Sequence, residues 1–223
     1  MLLSTSHEFI FIHIPKTAGS SITNLLEPYC VRPKRTLWRS LSRRLPFREA
    51  VGQAHFRVHE RAEKIRSKLP DGIYGRFTTF AVVRNPYDHA VSHYEYMKQY
   101  RSAKIAARFE HVSFEDYLRL RARPRGLLER QFVNLPDQSF FVTDSAGKLI
   151  VDRILRFESL ADDLRRLQDD LRLDPVSIPH ENKTRARSEQ APTASYFTDE
   201  TRALLLKVYE RDFELFGYST NLT

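Results

Sequence analysis

The chain has 223 residues, 41% of them hydrophobic and 29% charged, with a net charge of +8 and one cysteine, Cys30. That length suits one domain, residues 1–223, with a single substantial core, and the composition argues against disorder. A lone cysteine excludes an internal disulfide and a cysteine-cluster metal site, and fits a reducing compartment.

No apolar run approaches the roughly 18 residues of a membrane span. Met1 to Ser6 lacks the basic segment and apolar stretch of a signal peptide. The expected location is therefore cytoplasmic, with any trimmed anchor invisible in the sequence. Basic residues gather in two groups: Arg32, Lys34, Arg35, Arg39, Arg43, Arg44 and Arg48, then Arg119, Arg121, Arg123, Arg125 and Arg130. Such groups attract anions or simply form a solvated surface. No DNA- or RNA-binding signature accompanies them, so nucleic acid is not the expected partner.

In chain order, Glu8 to Ile14 (EFIFIHI) predicts a buried strand ended by Pro15. PKTAGSS follows, then Ile22, Leu25 and Leu26 at helical spacing. A second strand is expected near Ala50 to Ala54, leading to His55, and a short polar helix from Glu60 to Leu69 is stopped by Pro70. Phe77 to Val83 (FTTFAVV) predicts a strand ended at Arg84-Asn85-Pro86. Pro86 then opens a helix to about Tyr100, with Tyr87, Ala90, Val91, Tyr94 and Met97 on its apolar face. Ser113 to Arg121 and Arg125 to Val133 read as helices, and Phe140 to Val151 as two strands around an Asp-Ser-Ala-Gly turn. Asp152 to Phe157 predicts a strand, Glu158 to Leu173 an amphipathic helix, Asp174 to Pro192 a loop, and Thr198 to Phe213 the last helix. Its capping box is only partly satisfied, because Thr201 stands where Glu or Gln is expected. Strands alternating with helices predict an α/β fold of three layers, a mainly parallel central sheet flanked by helices.

Two segments carry chemistry. Between strand and helix, Lys16, Thr17, Ala18, Gly19, Ser20 and Ser21 form an anion site: unpaired helix-start N–H groups, a lysine charge, three hydroxyls, and a glycine for close backbone approach. A plain proline turn with Lys16 in water is the structural alternative. The common nucleotide P-loop, G-x-x-x-x-G-K followed by Ser or Thr, is absent, because the lysine precedes the loop's glycine. The second segment runs from Arg84 to Ser92. Arg84 sits where a strand ends, and Ser92 lies eight residues further on, about 11 Å along a helix.

Together, FIFIHIPKTAGSS and AVVRNPYDHAVSHY resemble the carbohydrate-modifying sulfotransferases that include heparan sulfate 2-O-sulfotransferase. The likeness continues in DRILRFESLADDLRRL, PHENKT and YERDFELFGY. It implies a P-loop-like sulfotransferase fold and 3′-phosphoadenosine-5′-phosphosulfate as donor, with no metal. It implies that the first motif holds the 5′-phosphosulfate end of that donor, and that Arg84 and Ser92 hold its 3′-phosphate. His55, in GQAHF, matches a catalytic histidine by a loose alignment, with His59 as a substitute. A histidine near neutral pKa accepts the acceptor proton, while Lys16 stabilises the leaving phosphate. The same resemblance implies that Lys183 and Thr184 touch the nucleotide, and exposed loop residues are the plainer reading of them. His13 reads as a packed strand residue. His89 and His93, four apart, form at most two metal ligands with no third evident.

The acceptor is expected to be a glycan or other hydroxyl-bearing molecule, acidic if the arginine clusters bind it, with Tyr29, Trp38, Tyr96 and Tyr100 for stacking. Two other readings stand beside this one: an ATP-dependent phosphotransferase, and an acidic-glycan-binding protein without turnover.

Overall fold

The computed structural model describes residues 1–31, 48–100, 102–122, 136–174 and 192–222. Its strands are β1 (Leu2–Ser4), β2 (Phe9–Ile12), β3 (Thr78–Val83) and β4 (Arg153–Arg156). The helices are α1 (Gly19–Leu26), α2 (Ala62–Lys68), α3 (Ile73–Arg76), α4 (Pro86–Lys98), α5 (Ala103–Glu110), α6 (Phe114–Ala122), α7 (Ser139–Val142), α8 (Leu160–Leu171), α9 (Asp199–Val208) and α10 (Glu210–Phe216). They fall into two compact units: residues 1–83 with 138–182, and residues 84–137 with 183–223.

In the first unit the four strands form one sheet in the order β1-β2-β3-β4. β2, β3 and β4 run parallel, and β1 is an antiparallel edge strand. The α/β architecture expected from the sequence, a mainly parallel sheet flanked by helices, is thus present. Strand alternation sends Phe9, Phe11, Phe80, Val82 and Leu155 to one face. There they pack with Ile22 and Leu26 of α1 and with Leu160, Leu164, Leu167 and Leu171 of α8. Ile10, Ile12, Ala81 and Val83, on the other face, are equally buried. Burial on both faces is why these strands read as continuous apolar runs.

The register pairs Ile12 with Ala81 and Val83 with Arg156, so the carboxyl ends of β2, β3 and β4 share one edge of the sheet. At the opposite edge Asp152 Oδ2 accepts hydrogen bonds from the Thr79 N–H (2.8 Å) and hydroxyl (2.7 Å), fixing where β3 and β4 begin to pair.

Two expectations for this unit are corrected, and one strand is added. The stretch from Ala50 to Ala54 is a turn and not a strand, with the Gln53 and Ala54 N–H groups both directed to Ala50 O. Glu49 ties it to α2, through its N–H to Lys68 O at 2.9 Å and its carboxylate to Lys68 Nζ at 2.6 Å. Residues 140–151 do not form two strands: Phe140 to Val142 belong to α7, and the turn, with Gly147 at φ 78°, is closed by one bridge between Thr143 and Leu149. The edge strand β1 had no signal, since three residues are too few to show a period.

In the second unit the apolar stripe of α4 is as expected. Tyr87, Ala90, Val91, Tyr94 and Met97 pack with Phe109, Phe114, Tyr117 and Leu118 of α5 and α6, and with Leu205, Tyr209 and Phe213. Asn85 caps α4 by accepting the Tyr87 N–H at 3.0 Å, and Pro86 fills the first helical position. The expected last helix is two, broken at Tyr209 (φ −113°, ψ 15°). Its capping box is complete, because the Thr201 hydroxyl accepts the Thr198 N–H at 2.8 Å and so replaces the carboxylate the sequence rule asks for. The expected helix 125–133 and nearly all of the loop 174–192 lie outside the described residues. Among the described residues no helix is long and apolar enough to cross a membrane.

Candidate active site

The first predicted motif leaves the carboxyl end of β2. Lys16 and Ala18 both adopt left-handed backbone, at φ 67° and 63°. For a non-glycine residue that costs about 1–2 kcal/mol, and such strain concentrates where a loop clamps a ligand. Between them Thr17 is fully buried and donates its hydroxyl to Ile14 O at 3.0 Å. That hydroxyl is therefore committed within the loop, leaving Thr17 its backbone N–H for a ligand, unlike the donor role the sequence suggested. Ala18, at the N-cap of α1, supplies no side-chain acceptor to the first turn. The helix start thus keeps N–H groups of the kind that bind anions. Lys16 is half-buried, Ser20 exposed and Ser21 buried.

Gly19 has a different role from the one its sequence position suggests. A Cβ added there would lie 1.7 Å from His13 Nε2, so the His13 ring occupies the space a side chain would need. His13 is buried, stacked on Phe11 at 5.6 Å between centroids, and its Nδ1 has no hydrogen-bond partner among the described residues. Burial, with His59 close by, pushes its pKa down to about 3, so the ring is neutral at physiological pH. His59 completes the group. Its ring meets the His13 ring edge-on at 4.5 Å between centroids, and its Nδ1 lies 3.0 Å from His13 O. The residue as a whole is exposed. Desolvation of the ring on the His13 side nonetheless lowers its pKa, partly offset by the hydrogen bond to the carbonyl. His55, the residue favoured by the sequence, is half-buried and lies outside any helix or strand, just beyond the turn at 51–53.

In the second unit Arg84 directly follows β3, is 5% exposed, and sits 3.8 Å from Asp88 one helical turn on. Asp88 also accepts the Thr193 hydroxyl at 2.5 Å. Ser92 is half-buried on α4. His89, one turn before it, is fully buried against Tyr209.

A sulfotransferase family model matches residues 1–219, nearly the whole chain. The chain belongs to the sulfotransferase family. No curated protein and no solved structure matched it. Sulfuryl transfer is accordingly the general chemistry of this sulfotransferase.

His93 and His89 of the sulfotransferase have structural partners. His93 Nδ1 lies 2.7 Å from the Tyr117 hydroxyl, and His89 Nδ1 lies 3.0 Å from the Tyr209 hydroxyl. Both hydroxyls receive hydrogen bonds from Arg121 Nη1, which only donates, so each phenol directs its own proton to the imidazole. Burial raises the pKa of both phenols, keeping that proton in place. This network was illegible in the sequence, because Arg121 and Tyr209 lie 88 residues apart. Among the described residues no group of three or more His, Cys, Asp or Glu is arranged to hold a metal ion. Lys183, Thr184 and Trp38 lie outside the described residues.

Proposed function

We propose that this protein transfers a sulfuryl group from 3′-phosphoadenosine-5′-phosphosulfate to a carbohydrate hydroxyl, with residues 1–223 acting as one catalytic domain. The observation that carries the reading is the loop after β2: a lysine and an uncapped helix start, held by two left-handed residues, inside a chain of the sulfotransferase family. Lys16 to Ser21 take the phosphosulfate end through backbone N–H groups, the Ser20 and Ser21 hydroxyls and the Lys16 ammonium. Arg84 and Ser92 take the 3′-phosphate, by resemblance to the family. The acceptor oxygen attacks sulfur in line as its proton passes to a histidine, His55 on the sequence reading. Lys16 stabilises charge on the departing 5′-phosphate oxygen, and adenosine 3′,5′-bisphosphate is the coproduct. The donor set needs no metal.

Adenosine 3′,5′-bisphosphate at a hundredfold excess over its Kd, without metal, is expected to raise Tm by about 5–10 °C. Lys16→Ala and Arg84→Ala each weaken that binding by about 10- to 100-fold, the worth of a charge-assisted hydrogen bond. Labelled sulfate passes from donor to glycan only with the wild-type loop. Stabilisation by ATP with magnesium alone would replace this reading with phosphotransfer. Glycan binding without any transfer, unchanged in Lys16→Ala, would replace it with a binding module.

A further inference from the structure

We infer that His59, through Nε2, is the general base of the proposed transfer, in place of the His55 indicated by the sequence. The inference rests on the sulfotransferase reading and refines one role within it.

The geometry decides the tautomer. A backbone carbonyl has no proton to give, so the 3.0 Å contact between His59 Nδ1 and His13 O requires the proton on Nδ1. In the neutral ring the lone pair is then on Nε2, at the far corner from the hydrogen bond. This is the orienting logic that catalytic histidines share: one nitrogen fixed by an acceptor, the other left to take a proton. The same contacts tie the ring to the donor loop. His59 rests edge-on against His13, and His13 in turn fills the space over Gly19, the first residue of α1. A shift of the donor loop therefore moves His13, and with it both the carbonyl and the ring that hold His59. His59 is exposed as a residue, which gives an acceptor a route to it from solvent. Burial on the His13 side lowers its pKa, which favours the uncharged ring that can accept a proton.

The step balances as follows. The acceptor O–H bond breaks as its oxygen forms a bond to sulfur, and the proton goes to His59 Nε2. The bond from sulfur to the 5′-phosphate oxygen breaks, leaving its electron pair on adenosine 3′,5′-bisphosphate. The imidazolium then returns its proton to water.

Two measurements test this. Ring-nitrogen NMR of the wild-type protein, with His59 assigned by comparison with His59→Asn, is expected to show the Nδ1–H tautomer. An Nε2–H tautomer overturns the inference whatever the donor. The second is transfer of labelled sulfate from donor to water and to a panel of chondroitin, heparosan and dextran. Asparagine keeps a donor for His13 O but has no base at the Nε2 position, so His59→Asn should lower kcat by about 10²- to 10⁴-fold. Its affinity for adenosine 3′,5′-bisphosphate should stay within about threefold of wild type, and imidazole should restore turnover to His59→Ala. His55→Asn should lower kcat by at least about tenfold less than His59→Asn does. An equal or greater loss in His55→Asn, or undiminished turnover in His59→Asn, overturns the assignment. If the wild-type protein binds no adenosine 3′,5′-bisphosphate and moves no sulfate, the sulfotransferase mechanism proposed here falls instead, and the base assigned to it falls with it.

Discussion

At the scale of single residues, the donor loop is shaped by contacts that a sequence motif does not display. Gly19 reads as a residue that lets backbone approach a ligand. In the structure its missing Cβ is the space taken by the His13 ring. Gly19→Ala should therefore act through His13. Expelling or tilting the ring costs about 1–3 kcal/mol, the usual range for overpacking, and lowers Tm by roughly 3–10 °C. With His13→Ala the obstacle is gone, so the same Gly19→Ala change should cost less than about 1 kcal/mol, a coupling a double-mutant cycle reads directly. Equal penalties in both backgrounds would show that the ring is not the obstacle. The lysine and serines of this loop were legible because charge and hydroxyls are visible in the sequence. The pairing of His13 with His59 was not, because it joins positions 46 residues apart through a carbonyl and a ring face.

Elements were legible in proportion to their periodicity. β2, β3, β4, α4 and α8 carry long apolar runs or stripes, and the structure has them within a few residues of expectation. The expected strand at Ala50 to Ala54 had no such period, and a buried ion pair, Lys68 to Glu49 with Lys68 1% exposed, anchors that stretch elsewhere. The break at Tyr209 was hidden because Leu205, Tyr209 and Phe213 keep an unbroken helical spacing across it. Helix ends show the same division between pattern and tertiary need. α8 closes with the Arg172 and Leu173 N–H groups bonded to Asp169 O and Gln168 O, at 3.2 and 2.9 Å, which places Arg172 in left-handed backbone at φ 54°. Glycine is the usual occupant of that position, as Gly217 is at the end of α10. Arg172→Gly removes a left-handed strain of about 1–2 kcal/mol and gives part of it back to unfolded-chain entropy. The expected net gain is about 0.5–1 kcal/mol, read as a Tm rise of roughly 1–4 °C. A lower Tm would mean that the Arg172 side chain contributes more than its backbone costs.

For the whole molecule the governing quantity is the charge of +8, and the structure changes which arginines express it. Of the second basic group, Arg119 is paired with Glu115 at 2.5 Å and Arg121 bridges two buried phenols, so neither is presented to a ligand as an open charge. Arg48, from the first group, pairs with Asp71. The remaining arginines of both groups lie outside the described residues, and they carry the expectation of an acidic acceptor. That expectation has a salt signature, because attraction between a basic surface and a polyanion is screened within a Debye length of about 10 Å at 0.1 M salt. Between low salt and about 0.3 M, KM for chondroitin or heparosan should rise roughly tenfold, while KM for dextran changes less than about twofold. Arg119→Ala should leave that slope unaltered, since its charge is already matched by Glu115 in an exposed, screened pair. Arg32→Ala combined with Arg35→Ala should flatten it. Equal KM values for charged and neutral glycans at low salt would mean that the net charge of this sulfotransferase plays no part in selecting its acceptor.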